Sequence, residues 1–305
     1  MSYKQVIIKT AYRIFLKENS LCVLKNEKDD ECEIKIPLED ISIILLEDSR
    51  AIVTARLLSE LSKNNITMVF CDETYKPSTI TIPLNQHYNQ FRVFNMQLSL
   101  EDNVKKEAWR KIVTRKIINQ KRVIELTTIH EYGIALLEKY SEEVKDNDVD
   151  NREGIASKVF FNSLYGLDFV RSSENPINSA LDYGYTIMHS SIVRQLVSMG
   201  CNTFLGIWHD SDQNSTNLAS DFVEVFRPVV DYYVFRHIDE LDKELSAKTR
   251  RGLVNLLNAN MIVNDKICNV EYAMEVVIKS YIKMIESHSS DLLVLPNITE
   301  LEFNE

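Results

Sequence analysis

The stretch LASDFVEVFRPVVD, residues 218–231, sets Asp221 and Glu224 three positions apart in an otherwise apolar run. On a helix that spacing places the two carboxylates one turn apart on one face. Such a pair is either the charged rim of an amphipathic helix or a set of oxygen donors for a divalent ion. Two further residues have the chemistry to join it. Glu153 stands in NREGIASKVFF, and His209 ends the apolar run FLGIW before the polar loop DSDQNSTN. Each also has a plain structural reading, Asp150 and Glu153 as a capping box and His209 as a hydrogen-bonded loop residue. Taken together, carboxylates and one imidazole suit magnesium, manganese or another first-row ion, and such an ion acts on phosphodiesters when it keeps room for water and substrate oxygens. These residues lie 56 and 15 positions apart in order, so a fold must bring them together.

The elements that would do so are helical. From about residue 100 the apolar residues repeat at three and four in the segments 104–126, 152–166, 176–200 and 269–287. Asn175 reads as a helix cap with Pro176 at the first position, and Gly200 follows the last apolar turn. The acidic run EEVKDNDVD reads as a solvated loop, and the tail after Pro296 as loosely held. Residues before this region read as short antiparallel strands (YKQVIIKT, YRIFLKEN, SLCVLK, ECEIKI, ISIILLE), interrupted by one helix over 51–63 and followed by a buried strand, ITMVFC. The expectation is an α+β protein, with an N-terminal antiparallel β domain over 1–90 and an all-helical domain over 91–305 that carries the site. KPSTITIPLNQHYNQ, with Pro77, Pro83 and a cluster of amides, is the expected exit from the first domain.

Composition narrows the class. With 45% apolar and 26% charged residues the 305-residue chain can bury a large core. Five scattered cysteines without a CxxC pair argue for reduced thiols in a cytoplasm, and no signal-like or membrane-length apolar stretch appears. The net charge of −10 opposes nucleic-acid binding only on average. Residues 100–123 hold 8 basic and 3 acidic side chains, against 15 and 29 in residues 124–305. There Lys106, Arg110, Lys111 and Arg115 fall mostly opposite Ala108, Trp109, Ile112, Val113 and Ile117 on a helical wheel. That face is either merely solvated or a contact for a phosphate backbone.

The segments NREGIASKVFF, NPINSALDYGYT, WHDSDQN and LASDFVEVFRPVVD, in this order and spacing, resemble one family across the whole chain, the CRISPR-associated spacer-acquisition integrases (Cas1). The branch it looks most like accompanies a single large RNA-guided effector nuclease. The resemblance implies that Glu153, His209 and Glu224 are catalytic metal ligands, with Mg²⁺ or Mn²⁺ as the ion and Asp221 as an outer or alternate ligand. Asn178 would support the site, and Arg227 would meet a phosphate or pair with Glu224. Tyr183 and Tyr185 read as core. The implied activity is insertion of short foreign DNA into a repeat array by 3′-hydroxyl attack, with associated endonuclease activity. The implied partners are DNA, a second copy through residues 1–90, the small Cas2 protein, other adaptation proteins and the effector nuclease, with no membrane. A metal-dependent nuclease that does not integrate, and a non-catalytic helical scaffold in which those side chains are dispersed, are the competing readings.

Overall fold

The computed structural model describes residues 4–28, 32, 34–83, 89–241 and 245–303. The chain forms two compact units, residues 1–90 and 91–305, and is α+β. Much of the amide-rich exit segment, at 84–88, lies outside the described residues.

The first unit contains β1 (Lys4–Ile8), β2 (Arg13–Lys17), β3 (Ser20–Leu24), β4 (Ile34–Pro37), β5 (Ile41–Leu46), β6 (Ile52–Val53), α1 (Ala55–Lys63), β7 (Thr67–Cys71) and β8 (Pro77–Ile80). Their pairing is mixed, which corrects the antiparallel expectation. In one sheet β1, β5 and β7 are parallel and only β8 is antiparallel. In the other, β4, β3 and β2 form an antiparallel meander with β6 parallel at the edge. The reason is visible in ISIILL, whose six residues are all buried. A continuous apolar run suits a strand covered on both faces, the usual condition of a parallel strand. Leu57 and Leu61 of α1 join Ile14, Leu21, Ile44 and Met68 in the core.

The second unit contains α2 (Gln90–Leu98), α3 (Asp102–Leu126), α4 (Glu131–Glu142), α5 (Arg152–Tyr165), α6 (Pro176–Ser198), α7 (Asn217–Val223), α8 (Arg227–Arg236), α9 (Ala247–Asn255), β9 (Ala259–Val263), β10 (Lys266–Asn269), α10 (Val270–Ser287) and β11 (Asn297–Phe303). It is helical but not wholly so, because β10, β9 and β11 form an antiparallel sheet. Asn264 and Asp265, both with positive φ, make the two-residue turn of the β9–β10 hairpin. Asx residues adopt that conformation at low cost. The segment after Pro296 is therefore a strand. Ile298 N–H donates to Asn119 Oδ1 at 3.2 Å, while Asn119 Nδ2 donates to the carbonyls of Val225 and Pro296. This buried amide ties the segment to the middle of α3.

α6 is the axis of the unit, packing against α7, α8, α9 and α10. Its start follows the sequence signal: Asn175 accepts from Asn178 N–H at 2.8 Å, with Pro176 in the first turn. α3 packs on α4, α5, α7 and α8, which places the long basic helix beside the helices that carry the acidic residues.

Candidate active site

Glu153 enters the site because other residues cap its helix. Asp148 accepts from the N–H groups of Arg152 and Glu153, and Asn151, in the left-handed region, accepts from Gly154 N–H. Asp150 pairs with Lys145 at 2.6 Å, so the Asp150–Glu153 capping box does not form. The Glu153 side chain instead reaches Lys116 on α3. Glu224, at the junction of α7 and α8, meets the same ammonium, so Lys116 Nζ bridges the two carboxylates. Lys116 is almost completely buried. Burial drives its ammonium toward the neutral form, but the charges of Glu224 and Glu153 outweigh that and raise its pKa above the ordinary value. Burial likewise opposes ionisation of Glu224, yet Lys116 and Arg227 hold its pKa below the usual carboxylate range.

His209 is fixed beside this cluster by an independent device. Asp221 on α7, fully buried, accepts from the backbone N–H groups of Ile207, Trp208 and His209 and from the imidazole Nδ1 at 2.8 Å. A Cβ on Gly206 would run into the His209 carbonyl oxygen, so the tight loop requires glycine there. Trp109 of α3 stacks on Trp208 with centroids 4.8 Å apart, and both indoles meet the His209 ring edge-on. The imidazole pKa is raised, since the bond and charge of Asp221 outweigh burial.

A cavity of about 270 Å³ opens on the carboxylate cluster. Three carboxylates (Glu153, Glu224, Asp231) and three cations (Lys116, Arg171, Arg227) line it. Arg227, at the start of α8, pairs with Glu224 at 2.9 Å and lies 4.6 Å from the centre of the Tyr185 ring. Arg171, from the loop between α5 and α6, lies 5.3 Å from the same ring and pairs with Asp182. Asn178 donates to the carbonyls of Val170 and Ser173 and accepts from Arg171, so it shapes the loop that presents Arg171. Tyr185 is buried as expected of core, but it also lines the cavity and donates its hydroxyl proton to Asp231. Burial pushes the Asp231 carboxyl up to about 7.

The structure thus joins Glu153 and Glu224 and sets His209 on Asp221. Among the described residues no three His, Cys, Asp or Glu side chains are arranged as a ligand set. Of the expected convergence of Glu153, His209 and Glu224, the two glutamates meet at one ammonium, while His209 is bonded to Asp221. The donor chemistry nevertheless suits a divalent cation. Two carboxylates meet at one ammonium, and an imidazole with Nδ1 held by a carboxylate keeps its other nitrogen for a metal. Asp221 spends its oxygens on four donors and so holds the 207–209 loop and the His209 ring in place.

Of the basic stripe, Lys106 is exposed, whereas Arg110 pairs with Asp146, Lys111 with Asp291, and Arg115 with Asn297. Sequence reasoning missed Lys116, Arg171 and Asp231. Lys116 had a legible signal, because it falls on the apolar side of α3 one turn from Ile112, Val113 and Gln120, where a lysine is out of place without a buried partner.

A sequence model of the family described as CRISPR associated protein Cas1 matches residues 6–252. The chain is 29% identical over 304 residues to the CRISPR-associated endonuclease Cas1 of Neisseria meningitidis serogroup C, covering 99% of this chain and 98% of that protein. Its fold is that of a casposase bound to integration product, with a TM-score of 0.73 at 17% identity, covering 94% of this chain and 91% of the other. It also superposes on a chain of a Cas6-RT-Cas1–Cas2 complex with a TM-score of 0.75 at 21% identity, covering 99% of this chain and 36% of that one. The chain belongs to the Cas1 family of CRISPR-associated endonucleases and integrases. The scaffold reading, in which Glu153, His209 and Glu224 are dispersed and structural, is set aside by that membership.

Proposed function

We propose that this chain is the metal-dependent DNA integrase of spacer acquisition, joining short foreign DNA to a CRISPR repeat. The observation that carries the reading is the cavity in which Glu153 and Glu224 share one cation beside the guanidiniums of Arg171 and Arg227. Glu153, Glu224 and His209 would hold Mg²⁺ or Mn²⁺, which when bound supplies charge neutralisation and activation of an attacking oxygen. Asp221 keeps His209 in one tautomer and orientation. Arg171 and Arg227, held against Tyr185, offer paired donors to a phosphate, the group guanidinium forks match best. In the joining step a DNA 3′-oxygen forms a bond to phosphorus as the target strand's P–O3′ bond breaks. One phosphodiester replaces another, and no ATP is needed.

The exposed Lys106, Arg110 from its pair with Asp146 and Lys111 from its pair with the exposed Asp291 supply phosphate-backbone contacts, since ion pairs open to solvent are weak and exchange readily for DNA. Residues 1–90 form the two-fold dimer contact, where β1, β4, β6 and β8 are the sheet edges. The small Cas2 protein is the direct partner, a reading supported by the likeness to the Cas6-RT-Cas1–Cas2 complex. The effector nuclease and other adaptation proteins are further partners of this branch. No described helix is long and apolar enough to cross a membrane, and a cytoplasmic site fits the free cysteines.

The test is joining of a labelled duplex to a repeat plasmid by purified protein and Cas2 with Mg²⁺ or Mn²⁺. Glu224→Ala should abolish joining while DNA affinity stays within a few-fold of the parent. Cleavage without joined product would favour a nuclease that does not integrate, and undiminished joining by a folded Glu224→Ala protein would refute the metal assignment.

A further inference from the structure

Lys116 is the most buried cation in the candidate site, and nothing in the phosphodiester chemistry requires a lysine between two carboxylates. It projects from the middle of α3, flanked by the buried Ile112, Val113, Ile117 and Gln120, so its backbone position is fixed by packing. Its ammonium has both carboxylates as partners and lines the open cavity. A four-carbon stem on a rigid helix can swing while the helix stays in place.

We propose that Lys116 is a resident cation that holds the Glu153–Glu224 pair together before metal binding and competes with the divalent ion for the space between them. This rests on the metal reading given above. Without the Lys116 ammonium, two carboxylates from different helices would face each other with only Arg227, on Glu224, to offset their repulsion, and one of them would turn outward or the helices would separate. The ammonium prevents that and keeps both donors in position. An ammonium and a divalent ion cannot occupy the same place, so metal entry requires the Lys116 head group to swing into the cavity. There it faces the same space as Arg171 and Arg227. The displaced charge then adds a third cation where the phosphate is to bind, so metal and phosphate binding favour each other. By linkage the help is reciprocal.

The test uses Mn²⁺ alone as the probe, titrated calorimetrically into the parent and into Lys116→Met, with melting of both followed without and with saturating Mn²⁺. Removing the competitor should tighten Mn²⁺ binding by about tenfold or more, roughly 1.4 kcal/mol. The metal-free variant should melt below the parent, and Mn²⁺ should raise its melting temperature by more than it raises the parent's. Lys116→Gln, which keeps a neutral donor between the carboxylates, gives the same affinity comparison if the methionine variant does not fold. Lys116→Arg keeps the positive charge and should bind Mn²⁺ no more tightly than the parent. Equal or weaker Mn²⁺ binding by the folded Met or Gln variant overturns the proposal. Failure of the parent itself to bind Mn²⁺, in a preparation that melts cooperatively, instead overturns the metal reading on which the proposal stands.

Discussion

Replacing Asp221 by asparagine puts a number on the device that holds His209. The carboxylate is fully buried and accepts from three backbone N–H groups and one imidazole nitrogen. Asparagine keeps the shape but converts one acceptor oxygen into an N–H donor. In one amide orientation that donor faces Ile207 N–H; in the other it faces His209 N–H and Nδ1. At least one buried backbone donor therefore loses its acceptor, at about 1–3 kcal/mol, and the remaining bonds lose the gain from a charged acceptor, about 1 kcal/mol more. For a unit of this size, residues 91–305, each kcal/mol moves the transition by about 2–4 °C. A loss of about 3 kcal/mol thus predicts a melting temperature about 6–12 °C lower for this unit, read by calorimetry at neutral pH. In a His209→Ala background the same substitution should cost about 1–2 kcal/mol less, because the imidazole bond is already gone. A folded Asp221→Asn protein melting within about 2 °C of the parent would refute the account of the loop.

Two further outcomes follow from the same geometry. Asp231 is raised from 3.8 to about 7 by burial, so the folded state keeps a proton that the unfolded chain releases between those values. Stability from this group is therefore lost as pH rises from about 4 to about 7 and is flat above that, and Asp231→Asn, which still accepts from Tyr185, should remove the slope. Parallel pH–melting curves for parent and variant would refute the assignment. Neutralising Lys106, Arg110, Lys111 and Arg115 together should weaken DNA binding at every sequence and flatten log affinity against log salt by about 0.9 for each phosphate no longer neutralised. An unchanged salt slope would show that the helix face is only solvated.

Helices α3, α5, α6 and α10 were readable because they are long and their apolar residues recur at three and four. The cap of α6 was equally local, set by Asn175 and Pro176. What escaped was set by tertiary partners. Strand direction in the first unit depends on which strand lies beside β5, not on any one segment. The β9–β10 hairpin carried its signal in the Asn264–Asp265 turn, but β11 needs Asn119 from α3 to account for its place. At the site, Glu153 and Glu224 could be named from their types and context, whereas their shared partner Lys116 lies 37 and 108 positions away. Arg171 has no periodic context at all, and only the Tyr185 ring and Asn178 show why it points where it does.

Asn119 sits one turn beyond Lys116 on α3 and is satisfied only when the carbonyls of Val225 and Pro296 and the N–H of Ile298 have arrived. On a ribosome the last of these groups, on Ile298, emerges 179 residues after Asn119. Until then the Asn119 carboxamide oxygen lacks this donor, although Val225 beside Glu224 is already available to its Nδ2. β11 thus closes a seam on the middle of α3 one turn from Lys116, so a strand remote in sequence braces the helix that positions the carboxylate cluster.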